Sequence, residues 1–63
     1  METVEIHCTD NDKTKIAEVL SRTDKYMKVV FEGTEMTLEL IRKDLNKPYV
    51  GNKAGLEFVY NEQ

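Results

Sequence analysis

Residues 9–22, TDNDKTKIAEVLSR, decide the fold class, because they carry the one helical pattern in the first half of the chain. Thr9 and Asp12 fit the capping pattern [ST]-x-x-[DE], in which the threonine oxygen and the acid side chain satisfy free amides at a helix start. Ile16, Val19 and Leu20 then fall at i, i+3 and i+4, on one helical stripe, and Glu18 precedes Arg22 by four residues, the favourable order for a surface pair. The pattern predicts a short amphipathic helix from about residue 9 to Arg22, packed on a sheet.

On its N-terminal side, Glu2 to Cys8 alternate. Val4, Ile6 and Cys8 share one face and Thr3, Glu5 and His7 the other, the period of a half-buried strand. On its C-terminal side, YMKVVFEGTEMTLEL, residues 26–40, reads as a hairpin about Glu32-Gly33, where glycine supplies the positive φ of a tight turn. A two-residue loop sets Phe31 opposite Thr34, Val29 opposite Met36 and Met27 opposite Leu38. One face then gathers Met27, Val29, Phe31, Met36, Leu38 and Leu40. A rival reading caps a helix at Thr34 and runs it through Leu45, with Met36, Leu40, Ile41 and Leu45 as its stripe. Pro48 forces its neighbour out of helical geometry, residues 47–55 (KPYVGNKAG) read as a loop, and LEFVY, residues 56–60, alternates as a closing strand. The expected fold is therefore α+β: about four mostly antiparallel strands with one helix on a face, in the order β-α-β-β-β.

The chain has 63 residues, enough for one small domain, of which 40% are hydrophobic and 33% charged. Near this size a domain hides only about 60% of its unfolded surface, which argues against a deep active-site cleft and against an enzyme. No apolar run reaches the roughly 20 residues of a membrane span, and METVEIHC lacks the pattern of a signal peptide, so a cytoplasmic location is expected. The single Cys8 offers no internal disulfide, which leaves a homodimer as one way to add buried surface. His7 and Cys8 are adjacent and point to opposite strand faces, so they form neither a metal pair nor a catalytic pair. No cofactor or metal is expected. Gly51 to Gly55 match neither G-x-x-x-x-G-K-[ST] nor G-x-G-x-x-G, and they lead into a strand rather than a helix, so a structural turn is the better reading than a phosphate loop.

Two surfaces remain as candidates. The second face of the hairpin carries Tyr26, Val30 and Ile41 beside Lys28, Thr37 and Glu39, and one helix cannot cover both sheet faces; this points to protein binding through Tyr26, Val30 and Ile41. The net charge is -3, yet residues 41–55 hold Arg42, Lys43, Lys47 and Lys53 against the single acid Asp44. With Tyr49 among them, these cations form the alternative, a nucleic-acid contact in which lysine and arginine hold the backbone and the ring stacks a base.

Within residues 33–58, the spaced pattern Glu35-Met36-Thr37-Leu38, Pro48-Tyr49-Val50-Gly51, Gly55 and Glu57-Phe58 resembles short uncharacterised proteins of tailed phages, particularly those of marine cyanobacteria. The resemblance implies a viral accessory protein made in a bacterial host, in the host cytoplasm and with a host protein as partner. It transfers no catalytic residue, and Asn46 stands where such proteins often carry a second basic residue before the proline.

Overall fold

The computed structural model describes residues 2–61. Among the described residues six strands follow one another: β1 (Thr3–Cys8), β2 (Lys13–Arg22), β3 (Tyr26–Phe31), β4 (Thr37–Ile41), β5 (Tyr49–Lys53) and β6 (Leu56–Tyr60). Each pairs antiparallel with the next, and β6 pairs back to β1, so the sheet closes into an up-and-down barrel. Closure removes the unpaired edges that an open six-stranded sheet would present.

The α+β expectation is overturned at residues 9–22, where the structure has a turn and a strand. Thr9 and Asp12, which resemble a helix cap, instead lie in a β1–β2 hairpin loop. Cys8 pairs with Lys13, Asp12 adopts a left-handed φ of 56°, and the Lys13 amide donates to the Asn11 Oδ1 at 3.2 Å. Short Asx side chains stabilise such turns as readily as they cap helices. The supposed helical stripe divides: Val19 packs against the core, whereas Ile16 and Leu20 are exposed. Leu20 sits where the β2–β3 register shifts between Val19 and Ser21, a bulge that bends the long strand around the barrel. A segment as short as residues 9–22 has little helical stability of its own, and pairing with both β1 and β3 satisfies its backbone instead.

The β1, β3, β4 and β6 strands form as expected from alternation, with a different register in the β3–β4 hairpin. Val29 lies opposite Leu38 and Met27 opposite Leu40, two residues from the predicted pairing. Four residues, 32–35, make the loop, because the Phe31 amide donates to the Met36 carbonyl at 2.9 Å and the Thr34 hydroxyl closes the turn on the Phe31 carbonyl at 3.0 Å. A shift of two preserves the face of every side chain. Met27, Val29, Phe31, Leu38 and Leu40 are accordingly buried, and Met36, near the hairpin end, is exposed.

Residues 49–53, expected to be loop, form β5, with Tyr49 and Gly51 inward. Ala54-Gly55 then makes a two-residue hairpin turn into β6, with φ values of 54° and 78° and Lys53 paired to Leu56. Two positive φ angles are the signature of a type I′ turn, in which asparagine usually precedes glycine. A left-handed alanine costs about 1–2 kcal/mol. Ala54→Asn is therefore expected to stabilise the fold by about 1 kcal/mol, a rise in Tm of roughly 4–8 °C by calorimetry.

The barrel interior is filled by Val4, Ile6, Cys8, Ala17, Met27, Val29, Phe31, Leu38, Leu40, Tyr49 and Phe58. Phe31 and Phe58 meet at 5.3 Å between ring centroids, tilted by 49°, an arrangement favoured by the ring quadrupoles. The described residues contain no helix long and apolar enough to cross a membrane.

Candidate protein-docking face

Alternation along each strand sends one set of side chains into the barrel and the other out. Where the registers of neighbouring strands align, the outward set forms rows across the sheet. One such row is predominantly apolar. Tyr26 is opposite Ile41, Ile41 opposite Val50, Val50 opposite Val59, and Val59 opposite His7. It crosses five of the six barrel strands, about 19 Å measured along the curved sheet at the usual strand spacing. Ile41 is 61% exposed; Tyr26, Val50 and Val59 are half-buried.

The turn between β4 and β5 extends this row. Its shape is set by Asp44, whose carbonyl accepts from the Lys47 amide at 3.0 Å and whose Oδ1 accepts from the Asn46 amide at 3.1 Å. That Asx turn leaves Leu45 at the tip, 59% exposed. Pro48 then leads into β5, and a groove opens that is lined by Ile41, Arg42, Lys43, Lys47, Pro48 and Val50.

Of the three residues read as a protein-binding face, Tyr26 and Ile41 are direct cross-strand neighbours. Val30 lies four residues along β3 from Tyr26, about 13 Å away, in a row between Glu18 and Thr37. It stands apart from the apolar row. Leu45, Pro48, Val50 and Val59 were not in the sequence reading of this face: Pro48 and Val50 lie in residues 47–55, which read as loop and so have no outward phase, Leu45 lies in the turn before them, and Val59 meets the row only through β5. The one local hint of a strand there is the adjacent strand-favouring pair Tyr49-Val50.

Of the residues of the alternative, nucleic-acid reading, Arg42, Lys43 and Lys47 line this groove, while Tyr49 and Lys53 are engaged elsewhere. Tyr49 is fully buried, and its hydroxyl donates to the Thr23 carbonyl at 2.8 Å. Arg42 is 7% exposed; its guanidinium lies 4.3 Å from the Tyr49 ring centre and its Nε donates to the Asp24 carbonyl. The Lys53 ammonium donates to the Thr37 carbonyl at 2.7 Å, bridging β5 to β4. Lys43 and Lys47 are exposed on the rim of the groove.

The closed end of the barrel explains these placements. Arg22 pairs with Glu2 at 2.8 Å and lies within 6 Å of the Tyr49 and Tyr60 rings, which stack on each other at 6.1 Å. Burial opposes the Arg22 charge, but bonding to Tyr49 and Glu2 outweighs it and holds the group above its ordinary pKa. These cations and rings plug the barrel around the carbonyls of the β2–β3 turn.

On the outer face, the Tyr26 hydroxyl donates to the Glu39 carboxylate at 3.1 Å. Desolvation and that bond both raise the Tyr26 pKa above 10.0. The contact is thus intact below the ordinary phenol pKa and lost as pH rises through the elevated one. Titration of ring carbon shifts should show Tyr26 ionising above the usual tyrosine range and returning toward it in Glu39→Gln. Equal values in the two proteins would disprove the coupling.

His7, at the far end of the row, contacts Asp12 Oδ1 at 3.1 Å through Nε2 and Thr14 Oγ1 at 3.3 Å through Nδ1. Cys8, adjacent in sequence, faces the core. Among the described residues no group of three or more His, Cys, Asp or Glu side chains is placed to hold a metal ion. Set against protein-family models, curated proteins and solved structures, the chain gives no match in any of the three comparisons.

Proposed function

We propose that this protein is a small binding module, acting without catalysis, that docks another protein on the outer face of β3, β4, β5 and β6. The observation that carries this reading is the apolar row Tyr26–Ile41–Val50–Val59, continued by Leu45 and Pro48 in the β4–β5 turn. A barrel of this size has one interior, and these side chains lie outside it. Isolated surface hydrophobics are ordinary, but a contiguous row is what interfaces use. The resemblance of residues 33–58 to tailed-phage proteins favours a viral accessory role, with the partner in the cytoplasm of a bacterial host.

The nucleic-acid reading draws no support from this geometry. A base-stacking platform needs an accessible ring, and Tyr49 would have to leave the core to provide one.

Photo-crosslinking tests the proposal. A benzophenone side chain placed at Val50 should capture one specific protein in extract of a bacterial host. Wild-type chain should compete for that product and Ile41→Asp should not, while a probe at Asn52 should give none. Equal labelling from both positions would refute the docking face. Products containing only this chain would assign the face to a homodimer and overturn the reading of a separate partner.

A further inference from the structure

The groove beside the β4–β5 turn has a composition of its own. Its floor is aliphatic, from Ile41, Pro48 and Val50, and its rim carries Lys43 and Lys47. The other cations of this region are engaged, Arg42 with the Asp24 carbonyl and Lys53 with the Thr37 carbonyl. Among the described residues neither Lys43 nor Lys47 takes part in an ion pair. The one acid of the turn, Asp44, has its Oδ1 on the Asn46 amide. Two unpaired ammonium groups thus flank an apolar floor, on a chain whose net charge is -3.

We infer that this groove takes an extended, acidic segment of the partner protein, whose aliphatic side chains pack on Ile41, Pro48 and Val50 while its carboxylates meet Lys43 and Lys47. This deepens the docking proposal and rests on it. Charge complementarity selects the sign: an acidic segment is drawn to the two lysines, whereas a basic one would meet like charge at the rim. Width selects the form. A narrow groove that continues into a row one side chain broad along the curved sheet suits a single extended chain, while a folded partner typically covers about 800 Å². The aliphatic floor also argues for peptide over nucleic acid, since no aromatic ring lines the groove itself and the adjoining Tyr26 is half-buried with its hydroxyl on Glu39.

The experiment is selection of random peptides, displayed on yeast, against the immobilised full chain. Enriched sequences should contain paired aliphatic residues next to two or more Asp or Glu. A synthetic peptide of that consensus should lose about tenfold in affinity against Lys43→Glu/Lys47→Glu, and it should weaken as salt is raised. Both lysines are exposed, so the variant should keep the wild-type Tm. Amide shifts on peptide addition should concentrate between Ile41 and Val50.

A consensus that is apolar yet neutral or basic, still mapping to these residues, would overturn the acidic inference and leave the docking face standing. Shifts confined to another face of the barrel would overturn both. Stronger perturbation of the same residues by a 20-nucleotide oligo(dT) would transfer the groove to nucleic acid and overturn both as well.

Discussion

Gly51→Ala should destabilise the barrel by about 3 kcal/mol or more, at the upper end of what overpacking costs. A domain of this length holds roughly 3–9 kcal/mol in total, so much of the population should be unfolded at 37 °C. Gly51 is buried in β5, facing Leu40 and Glu39 of β4, and an added Cβ would overlap the Glu39 carbonyl oxygen and come within 3.3 Å of Leu40 Cγ. The obstruction is backbone, which no rotamer change can clear. Relief requires β4 and β5 to separate, and their ladder registers at a single pair, Ile41 with Val50. Parting them would expose Leu40, which is fully buried. Gly33→Ala supplies the comparison: Gly33 has a φ of 82° with open space around it, so alanine there meets only the left-handed backbone penalty of about 1–2 kcal/mol. Urea unfolding of the two variants separates the causes. If Gly51→Ala loses no more stability than Gly33→Ala, the close approach of β4 to β5 is wrong.

The same glycine shows why β5 could not be read from the sequence. Glycine and asparagine are poor strand formers in isolation, and Pro48 directly precedes the segment. Gly51 belongs in a strand here only because another strand comes too close for a side chain, a fact of the folded barrel that local pattern does not contain. The β2 strand was hidden for a different reason. Its positions opposite the buried Cys8, Ile6 and Val4 are Lys13, Lys15 and Ala17, so its inward face has no large hydrophobe until Val19. Its outward Ile16 and bulged Leu20 then imitate a helical stripe. By contrast β1, β3 and β4 bury Val4, Ile6, Cys8, Met27, Val29, Phe31, Leu38 and Leu40 at alternate positions, and alternation was sufficient.

Face and register proved separable in the hairpin. The apolar pattern determines which side of a strand is buried, and a shift by two residues leaves that unchanged. Tyr26 and Ile41 could therefore be placed on the outer face while their direct pairing could not. Closure was also illegible. Four recognisable strands satisfy an open sheet, and only the two unrecognised strands complete the ring. Val50 and Val59 join the docking row through β5, so that part of the site was lost with the strand that carries it.

Tyr49→Ala should cost about 3–5 kcal/mol, the range for emptying an aromatic site in a core. Tyr49→Phe should cost about 1–2 kcal/mol, because it removes a hydroxyl donor from the Thr23 carbonyl and retains the ring beneath Arg42. The graded pair matters more than either value. A tyrosine that serves as a surface platform for a base predicts the opposite hierarchy: alanine would leave the Tm near wild type and abolish oligonucleotide retention. A buried tyrosine predicts large losses of Tm with the ring and small ones with the hydroxyl, and no dependence of nucleic-acid retention on Tyr49→Phe. Chemical denaturation of the folded Tyr49→Phe protein decides the matter even if Tyr49→Ala cannot be purified. Stability equal to wild type would mean that the hydroxyl does not hold the β2–β3 turn. Thr23, Asp24 and Arg42 would then have to close that end of the barrel without it, which their geometry does not support: Arg42 reaches the Asp24 and Lys25 carbonyls, and Tyr49 supplies the donor to Thr23.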